Sequence, residues 1–168
     1  SATLEHLAAV AEDDFANGPL VVFCPFEKAH RLIANALRAD EVYYVNGKQP
    51  SYERSRNMLA FNNSQNKRRV IICTLNLATS FTLHTASVCY FVGFWFNAAV
   101  HEQAEARLHR YGQQNPVLCR YLVHRNTVDE HCLAIIEGKQ TWSQAILDPV
   151  ALVTGSVRFL PESQAANG

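Results

Sequence analysis

No apolar run in these 168 residues is long enough to cross a membrane, and the first residues carry no secretory pattern. No C-x-x-C pair occurs among the 5 cysteines, and none of the 7 histidines stands at metal-ligand spacing with them, which argues against a zinc or disulfide framework. Cys24, Cys73, Cys89, Cys119 and Cys132 lie mostly inside apolar runs. They read as buried thiols of a protein from a reducing compartment, cytoplasmic or nuclear. Excess charge is also missing, with 15 Lys+Arg against 15 Asp+Glu. A small protein that lives only on nucleic acid is usually basic, so any such contact falls to a local patch and calls for help from elsewhere. Finally, there is no G-x-x-x-x-G-K-[ST]. "NGKQ" (Asn46 to Gln49) has the Gly-Lys without the loop. No Asp-Glu pair closes an apolar strand either: Asp13-Asp14 falls in a predicted N-terminal helix, and Asp129-Glu130 opens a late one.

What is present is a globular composition, 48% hydrophobic, and a regular alternation. "PLVVFCPF" (Pro19 to Phe26) reads as a buried strand stopped at Pro25, followed by "EKAHRLIANALRAD" with Ala29, Leu32, Ile33 and Leu37 at helical spacing. "EVYYVNG" is a second strand ending at Gly47. In "SYERSRNMLAFNN", Ser51 is the expected N-cap, with Met58, Leu59 and Phe61 facing inward. "RRVIICT", "SVCYFVGF" and "PVLCRYLV" are further strands. "NAAVHEQAEARLHRYG" is a helix stopped by Gly112, and "TVDEHCLAIIEGK" a helix capped by Thr127. An amphipathic helix, "LEHLAAVAEDDF", precedes the first strand. Apolar strands alternating with helices predict a doubly wound α/β domain, its parallel sheet covered by helices on both faces. One lobe over residues 1–150 is expected, with a tail or linker over 151–168. Ligands of such sheets gather at the carboxyl ends of the strands, where Gly47, Thr74 and the "FWFN" stretch fall.

"QAEARLHRYGQQ" (Gln103 to Gln114) carries Arg107 and Arg110 three apart on one predicted helix face. Guanidinium forks so placed could grip a terminal phosphate. From spacing alone the plainer account, a solvated face paired with Glu102 or Glu105, stands ahead of it. The surrounding residues change the balance. "FWFNAAVHEQAEARLHRYGQ" resembles the last helicase motif of superfamily 2 translocases of the Swi/Snf branch, a Trp-Asn-Pro loop followed by Q-A-x-x-R-x-x-R-x-G-Q. Trp95 and Asn97 match the loop; Gln103, Ala104, Arg107, Arg110, Gly112 and Gln113 match the helix. The resemblance covers roughly Leu20 to Lys139. "VNGKQPSYERSRNMLAF" is similar to the G-x-x-x-x-x-x-R motif at Gly47 and Arg54, "VIICT" to the strand leading into motif V with Thr74 at its end, and "YLVHRNTVDEHCL" to the closing strand and helix.

The resemblance implies the second RecA-like lobe of an ATP-driven DNA helicase or translocase. Arg107 and Arg110 would then be arginine fingers, and Gln103 would join them at ATP. Gly47, Thr74, Trp95 and Asn97 would face duplex DNA. ATP and Mg²⁺ would be held mainly by a first lobe, the required partner, so the chain by itself is expected to be inactive. Two departures stand out. Leu77, Ala78 and Ser80 occupy places where motif V has glycines, and Ala98 replaces the loop proline. They would suit a divergent branch, viral or phage, or a lobe that has lost catalysis and only binds DNA or a protein. An RNA helicase lobe is a third reading, opposed by Ala106, where such enzymes usually carry glycine. Other residues read both ways. Thr74 offers a hydroxyl to phosphate or a strand-end cap, and Gly47 a close approach or a plain turn. Arg54 reads more as a brace than as a DNA contact. "NKRRV" (Asn66 to Val70) is a solubilising surface before it is a nucleic-acid patch. Trp95 and Phe96 are core or cleft aromatics, and Trp142 packs down the last helix.

Overall fold

The computed structural model describes residues 2–75, 77, 83–93, 103, 118–122 and 156–159. Helix α1 (Ala2–Phe15) places Leu7, Ala11 and Phe15 four apart and buries all three. It ends in a tight turn at Gly18, whose φ of 127° favours a residue without a side chain. Strand β1 (Leu20–Cys24) is buried throughout. Pro25 then stops it, since proline cannot donate to a ladder. A 3₁₀ turn (Glu27–Ala29) leads into α2 (His30–Leu37), which buries His30, Ile33, Ala34 and Leu37. Leu32 was expected inward with them but is 58% exposed, because it lies 100° round the helix from Ile33.

Strand β2 (Glu41–Val45) precedes α3 (Ser51–Asn63). The N-cap of α3 is Pro50 rather than Ser51, with no side-chain cap. Met58 and Phe61 face the sheet as expected, whereas Leu59, between them in sequence, is 62% exposed. Strands β3 (Arg69–Thr74), β4 (Val88–Val92), β5 (Leu118–Leu122) and β6 (Ser156–Phe159) complete the sheet. Its order is β2-β3-β1-β4-β5-β6, parallel from β2 to β5, with β6 antiparallel to β5 through Tyr121↔Ser156 and Leu118↔Phe159. Residues 156–159, read from sequence as part of a tail, therefore supply an edge strand. "SVRF" is too short to show a period, but an open strand edge gives its backbone partners.

Helices lie on both faces, as the alternation predicted. On one, α1 and α2 cover Leu20, Val22, Ile72, Val88 and Tyr90. On the other, α3 packs Met58 and Phe61 with Val21, Phe23, Ile71, Cys89 and Phe91. An aromatic row crosses that second face: Phe23 stacks on Phe91 at 5.2 Å, and Phe91 on Tyr121 at 4.5 Å. Cys24, Cys73, Cys89 and Cys119 are buried and form no disulfide, as expected, while Cys132, Trp142, Phe96 and the predicted helices over 97–112 and 127–139 lie outside the described residues, apart from Gln103.

Two polar contacts fix the helices. Asp14, near the end of α1, is buried. It accepts from Arg120 Nε at 2.7 Å and Nη2 at 3.0 Å, and from the Tyr90 hydroxyl. Asp14, of the acidic pair Asp13-Asp14, thus joins α1 to β4 and β5. The basic cluster has a similar role. Arg68 pairs with Glu12 at 3.0 and 2.5 Å and donates to the carbonyls of Arg38 and Leu37, capping α2. Arg69 donates to the Phe61 carbonyl at 2.7 Å, near the end of α3. Each guanidinium sits where a helix presents its negative end.

Removing one member of a buried ion pair typically costs about 3–5 kcal/mol. The partial exposure of Arg120 puts Asp14→Ala at the low end, about 3 kcal/mol, in urea unfolding. Asp13→Ala, on the exposed side of the same helix, should stay within about 0.5 kcal/mol of the parent. Equal effects of the two would show that the buried pair does not anchor α1.

Candidate nucleic-acid interface at the carboxyl edge of the sheet

In a parallel sheet every strand leaves at the same edge. Here that edge gathers Pro25 and Phe26 after β1, the Asn46–Gln49 turn after β2, Thr74 at the end of β3, and Val92 and Gly93 at the end of β4. Gly47 and Thr74, expected together at this edge, are indeed neighbours there, since Val45 pairs with Cys73. The chain leaves β1 toward the α1–α2 face, but leaves β3 toward the α3 face, where Leu75 is buried. The crevice between Cys24 and Thr74, partners in register, is therefore a topological switch point, the place where open α/β sheets bind ligands.

The β2 turn is firmly built. Lys48 N–H donates to Asn46 Oδ1 at 3.1 Å, and Asn46 N–H to Gln49 Oε1 at 3.0 Å. From α3, Arg54 Nη1 donates to the Gln49 carbonyl at 2.8 Å, and Asn57 Nδ2 to the Tyr44 carbonyl at 2.8 Å. Arg54 thus braces the turn, through a carbonyl rather than the ion pair first expected. The Lys48 ammonium, 82% exposed, stands 3.3 Å from Glu27. Gly47 is exposed and does not take a positive φ, and a Cβ built on it would meet nothing within 4 Å. The turn does not require glycine there, which leaves room for an outside group against its backbone.

Thr74 behaves differently from expectation. Its hydroxyl is buried and has no hydrogen-bond partner among the described residues, so it does not face the open edge. Gln103 is helical and exposed. Trp95, Asn97, Arg107 and Arg110 lie outside the described residues. Among the described residues no group of three or more His, Cys, Asp or Glu could hold a metal ion.

The sequence matches the helicase conserved C-terminal domain over residues 3–112. The chain belongs to that family. Within superfamily 2 its relatives place this helicase lobe in the Swi/Snf branch. It is 28% identical over 122 residues to the Drosophila melanogaster SWI/SNF-related matrix-associated actin-dependent regulator of chromatin subfamily A-like protein 1, covering 71% of this chain and 16% of that protein. It is also 28% identical over 153 residues to the DNA repair protein RAD5 of Eremothecium gossypii, covering 86% and 14%. The lobe thus spans only about a seventh of the length of such relatives. Among solved structures, the C-terminal part of the Fun30 ATPase domain superposes with a TM-score of 0.72 at 18% identity, over 88% of this chain and 49% of that one. The C-terminal domain of the DEAD-box protein Dbp5 gives 0.61 at 18%, over 90% and 82%. Both show the RecA-like fold of helicase C-terminal lobes.

Two site residues of the lobe escape motif reading. Gly93 ends β4 with φ of 84°, and a Cβ there would stand 3.3 Å from the Phe26 ring and 3.4 Å from Pro25. Its signal was a glycine directly after an apolar run, just ahead of the "FWFN" stretch. His30, buried under the β1–β3 crevice, looks in sequence like one more polar residue at a helix start.

Gly47→Ala separates the two readings of the β2 turn. An ordinary φ and open space predict unchanged stability, or a gain of up to about 1 kcal/mol, while affinity for duplex DNA falls. Unchanged affinity at unchanged melting temperature would reduce Gly47 to a turn residue.

Proposed function

We propose that this chain is the second motor lobe of an ATP-dependent DNA translocase or helicase, completed by a first lobe on the same or another chain. The observation that carries this reading is convergence. The exits of β2, β3 and β4 share one edge, and β4 leads there straight into the stretch holding Trp95, Asn97, Gln103, Arg107 and Arg110. The names of the relatives, chromatin regulator and DNA repair protein, favour duplex DNA as the track and an intracellular, nuclear-type setting.

In this account the turn at Gly47 and the strand end at Thr74 carry part of the DNA track, with Trp95 and Asn97 beside them. Arg107 and Arg110, with Gln103, reach across to ATP. Mg²⁺ would neutralise phosphate charge at a site built by the first lobe. Among the described residues the pair Asp13-Asp14 is not open to it, because Asp14 is committed to Arg120 and Tyr90. The fingers then act by differential binding: a guanidinium fork gains most as charge develops on the transferring phosphoryl group. A catalytically silent binding lobe is the second reading. It is favoured by Leu77, Ala78 and Ser80 at motif V glycine positions and by the zero net charge.

The 168-residue chain should show no Mg²⁺-dependent ATP turnover above a no-protein control. Joined to a first lobe, Arg110→Ala should cut DNA-stimulated ATPase by about 10³–10⁵, with melting temperature and ATP affinity little changed. Arg110→Lys should not rescue, because an ammonium lacks the planar fork. Near-normal turnover of Arg110→Ala would make the arginine a surface or structural residue, and no DNA-stimulated turnover in the unsubstituted two-lobe protein would support the silent-lobe reading instead.

A further inference from the structure

His30 occupies an unusual place. It is buried beneath the crevice between β1 and β3, with Nε2 3.4 Å from the Cys24 carbonyl. Its ring lies parallel to that of Tyr44, 6.5 Å away and tilted by 8°. Tyr44 belongs to β2 and Cys24 to β1, and β3 runs between those strands. A ring that touches both must therefore lie over β3. The register puts Ile72 beside Tyr44 and Thr74 beside Cys24. Ile72 and Cys24 both face the α1–α2 cluster, so Thr74, two residues on from Ile72, faces it too. The imidazole and the Thr74 side chain thus share one face at one strand end.

Their hydrogen-bonding needs are complementary. A carbonyl can only accept, so the contact with Cys24 puts the proton on Nε2 and leaves Nδ1 as a bare acceptor. Burial pushes the imidazole pKa down, which keeps the ring neutral and this tautomer in place. Nδ1 is buried and has no hydrogen-bond partner among the described residues; the Thr74 hydroxyl, a donor, is in the same position. The Cys24 thiol cannot serve as the donor, since it is directed to the Phe26 carbonyl at 3.6 Å. Buried polar groups are nearly always satisfied, and a trapped water is the usual partner where two such groups lie together.

We propose that His30 is a positioning residue for the end of β3: its Nδ1 accepts, through one buried water, from the Thr74 hydroxyl. The bridge ties the Thr74–Leu75 backbone to the first turn of α2 at the switch point. It holds that backbone at the open edge, ready for a phosphate, while the hydroxyl points inward. The bridge stands on the placement of the two side chains; its effect on binding rests on the reading of this edge as a nucleic-acid track.

Two measurements on the ¹⁵N-labelled chain test it. Long-range ¹H–¹⁵N spectra of His30 should show the Nε2–H tautomer, with an Nδ1 shift typical of a hydrogen-bonded acceptor. In Thr74→Val that shift should move to the unbonded value. A proton on Nδ1, or an Nδ1 shift unaffected by Thr74→Val, overturns the bridge. In low-salt titrations with a DNA duplex, Thr74→Val and His30→Leu should each weaken binding about fivefold, the worth of one hydrogen bond. The double variant should be no weaker than either single one, with all variants folded by circular dichroism. If Thr74→Val weakens binding and a folded His30→Leu does not, the positioning role falls and the nucleic-acid reading stands. If neither weakens it, both the positioning role and Thr74's place on the track fall.

Discussion

Because β1 to β5 run parallel, every one of them leaves the sheet at the same edge, and the rest of the structure follows from that constraint. Each return to the amino edge needs a crossover, and right-handed crossovers send the chain to one face from β1 and to the other from β2 and β3. The two faces become two separate clusters, one under α1 and α2 and one under α3. The chain paths part between β1 and β3, and that parting is the only reason a crevice exists beside Thr74. A site there uses strand ends and backbone, so it can be rigid without any dedicated loop insertion.

The two edges of the sheet do different work. At the amino edge, charge is consumed internally. Arg68 holds Glu12 and the end of α2, and Arg69 the end of α3, while Arg120, midway along β5, holds the carboxylate of Asp14. These guanidinium groups replace water at helix termini and tie helices to strands, which is how a cluster that reads in sequence as a solubilising surface becomes a structural clamp. At the carboxyl edge the exposed backbone at Gly47 and the strand exit at Thr74 stand beside an exposed Lys48–Glu27 ion pair.

Much of the fold was legible because its signals are local. The five parallel strands appear as short apolar runs, and Pro25 marks where β1 stops. α3 was found, but Leu59 and Leu32 were assigned to the wrong side, because an apolar residue beside a helix stripe looks the same in sequence as one within it. β6 went unseen because a four-residue edge strand is selected by its partner's open backbone rather than by its own pattern. At the site, Gly47 and Thr74 were legible through motif order. The inward turn of the Thr74 hydroxyl arises from strand register across β1, β2 and β3, and the demand for glycine at position 93 from its positive φ and the approach of Pro25 and Phe26 to the end of β4; no local pattern encodes either. The opposite error occurred at Arg68 and Arg69, where composition suggested a surface role and tertiary contacts gave an internal one.

Whether the carboxyl edge is the nucleic-acid face can be read directly by titrating the ¹⁵N-labelled chain with a short DNA duplex at low salt and following backbone amide shifts. The account predicts changes centred on Asn46 to Lys48 and on Thr74 and Leu75, with Asn66 to Arg69 at the opposite edge unmoved. Shifts centred on Asn66 to Arg69, with the carboxyl edge silent, would contradict it.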